Sequence, residues 1–361
     1  VAEARPGVWR LLDTGLRPPA QNLALNRALL EARQAGEAPS TLRFLRFTPS
    51  ALLGYHQSAE QELNLDYCRA QGISVQRRIT GGGAIYFDEG QIGWELYLTK
   101  ADLGTADMAS ISRRICEAAA RGISALGVDA RYRPRNDIEV DGRKISGTGG
   151  AFDGDALMYQ GTLLIEFDVE RMLRVLRIPA EKLSDKAIAS ARERVTSLRE
   201  LLGRVPAPGE VQAHIGAAFS SEFGVSFLAG GMAAPEEERY RCALQEMDSP
   251  EWVNLVSRPA ADVPILEAAR KFPGGLLRAS LAFDKGAHRL RQVWFTGDMF
   301  VSPRRAVADL EAVLKDCPAT DVDVRILRYF AGRGVDLMTL TPGDFVTVVR
   351  EALAAGSGAR P

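Results

Sequence analysis

Arg77 and Arg78 run into Gly81, Gly82 and Gly83 in the stretch QRRITGGGAIYFDEG, residues 76–90. Three glycines remove every Cβ, so another molecule can come close to the main chain. Successive N–H groups in such a turn can form an anion-binding nest. Strand alternation sends the two arginines to opposite faces, so one of them can face a carboxylate or phosphate. The plain alternative is a hairpin turn with solvated arginines, because glycine-rich turns are common. A Walker loop is excluded, since GxxxxGK[ST] is absent.

A second stretch, RPRNDIEVDGRKISGTGGAF (133–152), places Lys144 on an expected strand ahead of Gly147, Gly149 and Gly150. A compact positive charge beside bare backbone suits an acyl carbonyl or an α-phosphate. Asn136 and Asp137, across the Asp141-Gly142 turn, can contact a nucleotide or hold a Mg²⁺ ion. An ordinary surface hairpin is the alternative. The third stretch, SDKAIASARERVTSLREL (184–201), carries Lys186, Arg192, Arg194 and Arg199. It suits a loop that closes over phosphates, or else a solvated helix face.

These residues need a scaffold. The chain has 361 residues, 46% hydrophobic and 25% charged, which fits a soluble globular protein of two or three domains. A net charge of −1 gives no global basic field for nucleic acid. No apolar run reaches the length of a membrane span. The opening VAEARPGVWR lacks the charged-then-apolar layout of a signal peptide. Cys68, Cys116, Cys242 and Cys317 lie far apart with no CxxC pair, and only His56, His214 and His288 are present, so neither a zinc site nor a disulfide framework is expected. The expectation is a cytoplasmic protein with reduced thiols.

Periodicity predicts helices over 18–36, 64–72, 106–126, 168–178, 210–223, 303–317 and 341–356. Strands are predicted at 41–48, 50–58, 92–99 and 159–167, with hairpins around the three glycines, Asp141-Gly142 and Asp284-Lys285-Gly286. Strands cluster early and helices fall irregularly. This favours an α+β fold, a mixed β-sheet flanked by helices, over a doubly wound parallel sheet. Composition changes near 229. The expected layout is a catalytic domain over 1–228, a linker region over 229–271 and a small α/β C-terminal accessory domain over 272–361.

Taken in order, RRITGGGAIYFD (77–88), NDIEVDGRKISGTGGAF (136–152), YQGTLLIEFDV (159–169) and DKAIASARERVTSL (185–198) resemble the lipoate–protein ligase A family. That family belongs to the biotin/lipoate ligase and lipoyl/octanoyl transferase superfamily. NLALNRALL (22–30) and LLGYHQS (52–58) fit its opening helix and second strand, and FTGDMFVSP (295–303) the start of its accessory domain. The resemblance implies a two-step, ATP-dependent reaction with Mg²⁺: lipoate and ATP form lipoyl-AMP and pyrophosphate, and the acyl group passes to a carrier lysine. By the same resemblance Lys144 is the catalytic residue at the acyl-adenylate. The implied substrate-binding set is Arg77, Arg78, Gly81, Gly82, Gly83, Ala84, Asn136, Asp137, Gly147, Thr148, Gly161, Thr162, Lys186 and Thr196, with Asp137 toward the metal. The implied partner is a lipoyl carrier: a 2-oxoacid dehydrogenase acyltransferase domain, a glycine-cleavage H protein or an H-like lipoate-binding protein of sulfur oxidation. Neither nucleic acid nor membrane is expected.

The competing readings are an octanoyl or lipoyl transferase of the same fold, a biotin ligase, and a non-catalytic scaffold that binds the carrier. Transferases of this type use a cysteine nucleophile, either where this chain has Asp185-Lys186 or near Arg133 to Arg135; neither region has one. Cys68 and Cys116 are expected as buried packing residues. The GRGRxxR glycine motif of biotin ligases is missing. Two positions depart from the family pattern: Phe87 and Gln160 stand where histidine is usual, which bears on lipoate-versus-octanoate preference and on carrier choice. Arg171, Arg174, Arg177, Arg192 and Arg194 are expected to steer an acidic carrier.

Overall fold

The computed structural model describes residues 7–134, 136–177, 185–256, 261–337 and 340–356. The chain divides into two compact units. One comprises Val1–Ala51, Asp66–Gln76 and Tyr86–Ser249; the other comprises Leu52–Leu65, Arg77–Ile85 and Pro250–Pro361. The fold is α+β, with mixed sheets flanked by helices.

An eight-stranded sheet organises the first unit. Its spatial order is Ser226–Ala229, Val8–Arg17, Thr41–Phe47, Gln91–Thr99, Ala156–Leu164, Arg143–Asp153, Asp137–Val140 and Ala130–Arg133. The first three strands run parallel to one another and the remaining pairings are antiparallel. Strand alternation gives each face its own chemistry. On one face Leu42, Phe44, Ile92, Trp94, Leu96, Leu157, Tyr159 and Leu163 pack against the helices Met108–Ser124 and Pro208–Phe223. The first of these helices buries Ile111, Ile115, Ala119 and Ile123, one stripe at helical spacing, and starts at Asp107, whose carboxylate accepts the Ser110 N–H.

The opposite face meets the helix Pro19–Gln34, which in turn packs against Ala234–Met247 within the region expected as a linker. Polar groups are buried there. Arg43 and Glu95 form a 3.0 Å ion pair and are almost wholly buried. Arg43 also donates to Asn22 Oδ1 at 2.6 Å and to Thr14 Oγ1 at 3.0 Å, while Glu95 accepts from Tyr97 Oη at 2.6 Å and from Asn26 Nδ2. Burial, then the adjacent Glu95 carboxylate, drives the Tyr97 hydroxyl well above its usual pKa. Arg10 holds the other helix through Glu236, whose side chain is fully buried, and through the Gly231 carbonyl.

Three short strands, in the order Ser74–Arg77, Ser50–Leu53, Ile85–Phe87, form a separate sheet. The strands flanking the three glycines therefore do not pair with each other as the expected hairpin would; Ser50–Leu53 lies between them. Gly54 ends that middle strand, and a Cβ there would lie 1.9 Å from the Gly82 carbonyl oxygen. The close crossing of the two backbones replaces the hairpin turn.

In the second unit, Ile265–Phe272, Gly275–Asp284, Arg289–Gly297 and Cys317–Pro318 form an antiparallel sheet, including the expected 284–286 turn. The helices Ala306–Val313, Val322–Phe330 and Pro342–Gly356 contribute Val307, Leu310, Ile326, Phe345 and Val349 to its core. Burial pushes the Glu311 carboxyl up to about 7, against one lowering contact, the Phe295 N–H that it accepts at 2.8 Å.

Two stability outcomes follow. Glu236→Ala leaves Arg10 as an unpaired buried cation and should cost about 3–5 kcal/mol, seen as a lowered urea midpoint. A carboxyl raised in the folded state binds a proton that the unfolded chain has already released. Stability should therefore fall as pH rises from the unfolded value of 4.5 to about 7, and level off above. Relative to Glu311→Gln, the wild type should lose roughly 3 kcal/mol across that window in urea titrations.

Candidate active site

Lys144 and Gly147 are three residues apart, so plain alternation would set them on opposite faces of their strand. A register shift prevents this. Ile138 stands opposite Ser146, and Glu139 opposite Lys144, leaving Ile145 as an extra residue. Ile145 drops fully into the core. Lys144 is thereby turned onto the face shared by Asp137, Glu139 and Gly147, the re-aiming that a β-bulge produces. Its ammonium lies 2.6 Å from Asp137 Oδ1. Arg133 reaches the other oxygen, Oδ2, at 2.6 Å, and Glu139 at 3.3 Å. Gly147 is needed for this arrangement: a Cβ there would sit 2.8 Å from Lys144 Nζ.

The strand is held from its other edge as well. Lys144 N–H donates to the Arg194 carbonyl and Thr196 N–H donates to the Lys144 carbonyl, both at 2.9 Å. Thr196 is buried, and its hydroxyl reaches Glu200 at 3.3 Å. Residues 194–196, from the cationic stretch, thus fix the backbone of Lys144. Lys186 lies on the helix Asp185–Arg192, and its side chain falls outside the described residues.

Asn136 donates from Nδ2 to the Thr148 carbonyl at 3.1 Å, and its own carbonyl accepts from Thr148 N–H at 2.8 Å. Thr148 turns its hydroxyl to the core side, where Cys116 Sγ lies 3.2 Å away and Tyr159 Oη 3.2 Å. Burial raises the Cys116 thiol pKa. Gly161 also faces the core, and a Cβ on it would meet the Trp94 ring at 2.2 Å. Thr162 points the other way; its hydroxyl lies 3.4 Å from the Gly147 N–H. Asp137, Gly147, Thr162, Gly93 and Leu45 are successive partners across five strands. Gly93 and Leu45 were not anticipated; the isolated glycine within IGWELYLT was the available signal.

The glycine loop belongs to the second unit. Both arginines ahead of it are buried and serve backbone carbonyls. Arg77 donates to Gly54, Tyr55, Gln57, Trp252 and Val253, and Arg78 to Leu52, Gly81 and Gly83. Burial lowers each guanidinium to about 10. Residues 298–300 lie against the loop: a Cβ on Gly81 would be 2.0 Å from the Met299 carbonyl oxygen, and one on Gly82, whose φ is +93°, would be 2.9 Å from the Phe300 ring. Gly83 lies near the Asp298 carboxylate, and Ala84 leads into Ile85–Phe87. His56 is held near this loop; burial, then Arg77 and Arg304, lower its pKa to about 4.

A separate cavity of about 950 Å³ in the first unit is lined by Asp88, Glu166, Arg143, Arg192, Thr196 and Glu200 among others. Among the described residues no group of three or more His, Cys, Asp or Glu side chains is placed to hold a metal, and no helix is long and apolar enough to cross a membrane.

The "Lipoyl protein ligase A/B catalytic domain" family model matches residues 18–220. The chain is 34% identical over 191 residues, 50% of its length, to "Lipoate-protein ligase A subunit 1" of Thermoplasma acidophilum, covering 71% of that protein. It is 30% identical over 253 residues, 64% of its length, to "Octanoyltransferase LipM" of Symbiobacterium thermophilum, covering 92% of that protein. Among solved structures it is similar to a bi-partite lipoate protein ligase described with its E2 lipoyl domain from Thermoplasma acidophilum, with a TM-score of 0.61, 30% identity, and coverage of 70% of this chain and 99% of that one. It is also similar to lipoate-protein ligase A bound with ATP, with a TM-score of 0.60, 28% identity, and coverage of 68% of this chain and 98% of that one. With more than half of its length matched by the family model, this chain belongs to the lipoyl protein ligase A/B catalytic-domain family, whose members among these relatives include both ligases and octanoyltransferases.

Proposed function

We propose that the protein is an ATP-dependent lipoate–protein ligase that forms an acyl-adenylate and passes the acyl group to a lysine of a lipoyl carrier domain. The observation that carries this reading is Lys144, turned by the bulge onto the glycine-floored face beside Asp137. A carboxylate is a poor electrophile, and adenylation makes it a mixed anhydride. An ammonium fixed beside bare backbone can hold the acyl carboxylate and the α-phosphate together and stabilise charge as it develops on their oxygens. Asn136 and Asp137 would border the nucleotide. Mg²⁺ usually takes one or two protein carboxylates and the phosphates of its nucleotide, and Asp137 with Glu139 fits that modest donor set. Such an ion would neutralise phosphate charge.

The thiols support the ligase over the transferase reading. Cys116 is buried and bonded to the Thr148 and Tyr159 hydroxyls, with its pKa raised; burial also raises those of Cys68 and Cys317. Cys242 is exposed on the helix Ala234–Met247. The three raised thiols resist forming the thiolate that a nucleophile requires, and Cys242 lies on none of the strands that carry Lys144 and its partners. The similarity to octanoyltransferases keeps the transferase as the second reading.

Pyrophosphate release from ATP and lipoate without any carrier separates the alternatives: the ligase gives it, while a transferase or a scaffold gives none. Lys144→Ala should lower this release about a hundredfold or more while the protein stays folded by circular dichroism, since the lysine is part-exposed. Full activity in that variant would remove Lys144 from the chemistry.

The carrier is expected to be acidic. Arg192 is already paired with Glu170, whereas Arg174 and Arg194 are exposed. Raising salt should slow acyl transfer to the carrier several-fold and leave pyrophosphate release unchanged. A salt-independent transfer rate would exclude electrostatic steering.

A further inference from the structure

We propose that Arg133 is a positioning residue for Lys144: it neutralises Asp137 from the far oxygen, so that the Lys144 ammonium can leave that carboxylate for the phosphate of a nucleotide. This rests on the ligase reading above and adds the group that frees Lys144 to act.

Four charges alternate over three strands at this end of the large sheet. Arg133 lies on the edge strand directly opposite Asp137, and Lys144 lies directly opposite Glu139 on the other side of the Asp137–Val140 strand. Asp137 and Glu139 are two residues apart, so they share one face. Each cation serves a different oxygen of Asp137. Lys144 Nζ lies 2.6 Å from Oδ1, and Arg133 Nη2 donates to Oδ2 at 2.6 Å. Arg133 Nη1 also lies 3.3 Å from Glu139 Oε2. Two cations and two carboxylates leave the cluster formally neutral. The Arg133 side chain is 49% exposed, against 17% for Asp137 and 24% for Glu139.

Lys144 has to change partner before it can serve a phosphate. The Asp137 oxygen that it covers, Oδ1, is shut off from water, as is Glu139 Oε2. An ammonium that moves away uncovers a carboxylate oxygen that solvent does not reach, which is costly with no second cation at hand. An unscreened Asp137 would also repel the incoming phosphate. Arg133 removes both obstacles. Its fork holds Oδ2 while Lys144 moves, and a guanidinium stays charged throughout. The half-exposed pair adds little to the stability of the fold. Nor is it needed to tie the edge strand, since Ala130–Arg133 and Asp137–Val140 already pair through their main chains over four residues. Its effect therefore falls on nucleotide binding.

The test is a double-mutant cycle of Arg133→Gln and Asp137→Asn. It is read by calorimetric binding of AMP without divalent ions and by the KM for ATP in pyrophosphate release. In the wild-type background Arg133→Gln should weaken AMP binding and raise the KM about tenfold, while the urea midpoint stays near that of the wild type. In the Asp137→Asn background no carboxylate holds Lys144 back, and the same substitution should change either value less than about twofold. Asp137→Ala stands in if Asp137→Asn does not fold. An equal loss in both backgrounds would show Arg133 acting on the phosphate directly and would overturn the positioning role. Unchanged binding and KM in a folded Arg133→Gln protein, with or without a lowered urea midpoint, would overturn it as well. An absence of pyrophosphate release from the folded wild type would overturn the ligase reading itself, and with it the step that Arg133 serves.

Discussion

One extra residue in one strand decides which face of the large sheet Lys144 occupies. Without the bulge at Ile145, Lys144 would lie on the opposite face from Gly147, among the hydrocarbon of Ile138 and Ile115, where an ammonium carries a heavy desolvation penalty. With the bulge, the cation is part-exposed and pairs with Asp137. The surrounding fold protects this exception. Residues 194–196 bond to the main chain of Lys144 on one side, and Asp137 and Glu139 flank it on the other. A side chain that must meet a developing charge has to be positioned by such supports.

The glycines of the three motifs do different work. Gly161 is required by the core, because the Trp94 ring occupies the volume of its missing Cβ. Gly54 and Gly81 are required by other backbone, the Gly82 and Met299 carbonyls respectively. Gly147 and Gly93 make room for side chains on the other sheet face, those of Lys144 and Leu45 respectively. A glycine-rich motif therefore marks close approach without saying what approaches. In the 81–83 loop the neighbours are residues 298–300 of the same unit, and the adjacent arginines order the loop from within by binding its carbonyls.

The sequence showed the elements more clearly than their neighbours. Periodicity located the helices around Met108–Ser124 and Pro208–Phe223, because one stripe of each is committed to the core. The hairpins at Asp141-Gly142 and 284–286 were legible because their turns are local. The pairing around the three glycines was not: Ser50–Leu53 inserts between strands adjacent in sequence, and no local signal encodes that. The motif order pointed to the family, and Lys144, Asp137 and Gly147 do lie together. Leu45, Glu95 and Arg43 were invisible as a group, because cross-strand rows join residues far apart in sequence. In isolation Arg43 looked like an ordinary charge on an alternating strand, yet it is fully buried.

The strand Arg143–Asp153 also shows how one backbone separates two chemistries. Toward the core it offers Thr148, whose hydroxyl meets the only thiol described near this strand, Cys116, and the Tyr159 phenol. Toward the accessible face it offers Lys144 and bare glycine. Burial keeps the thiol in its neutral form, penalising the thiolate more than the two hydroxyl contacts stabilise it. To become a nucleophile at the accessible face it would have to cross the sheet that buries it. On this strand the group left on the accessible side is therefore the Lys144 cation, while the thiol stays on the core side.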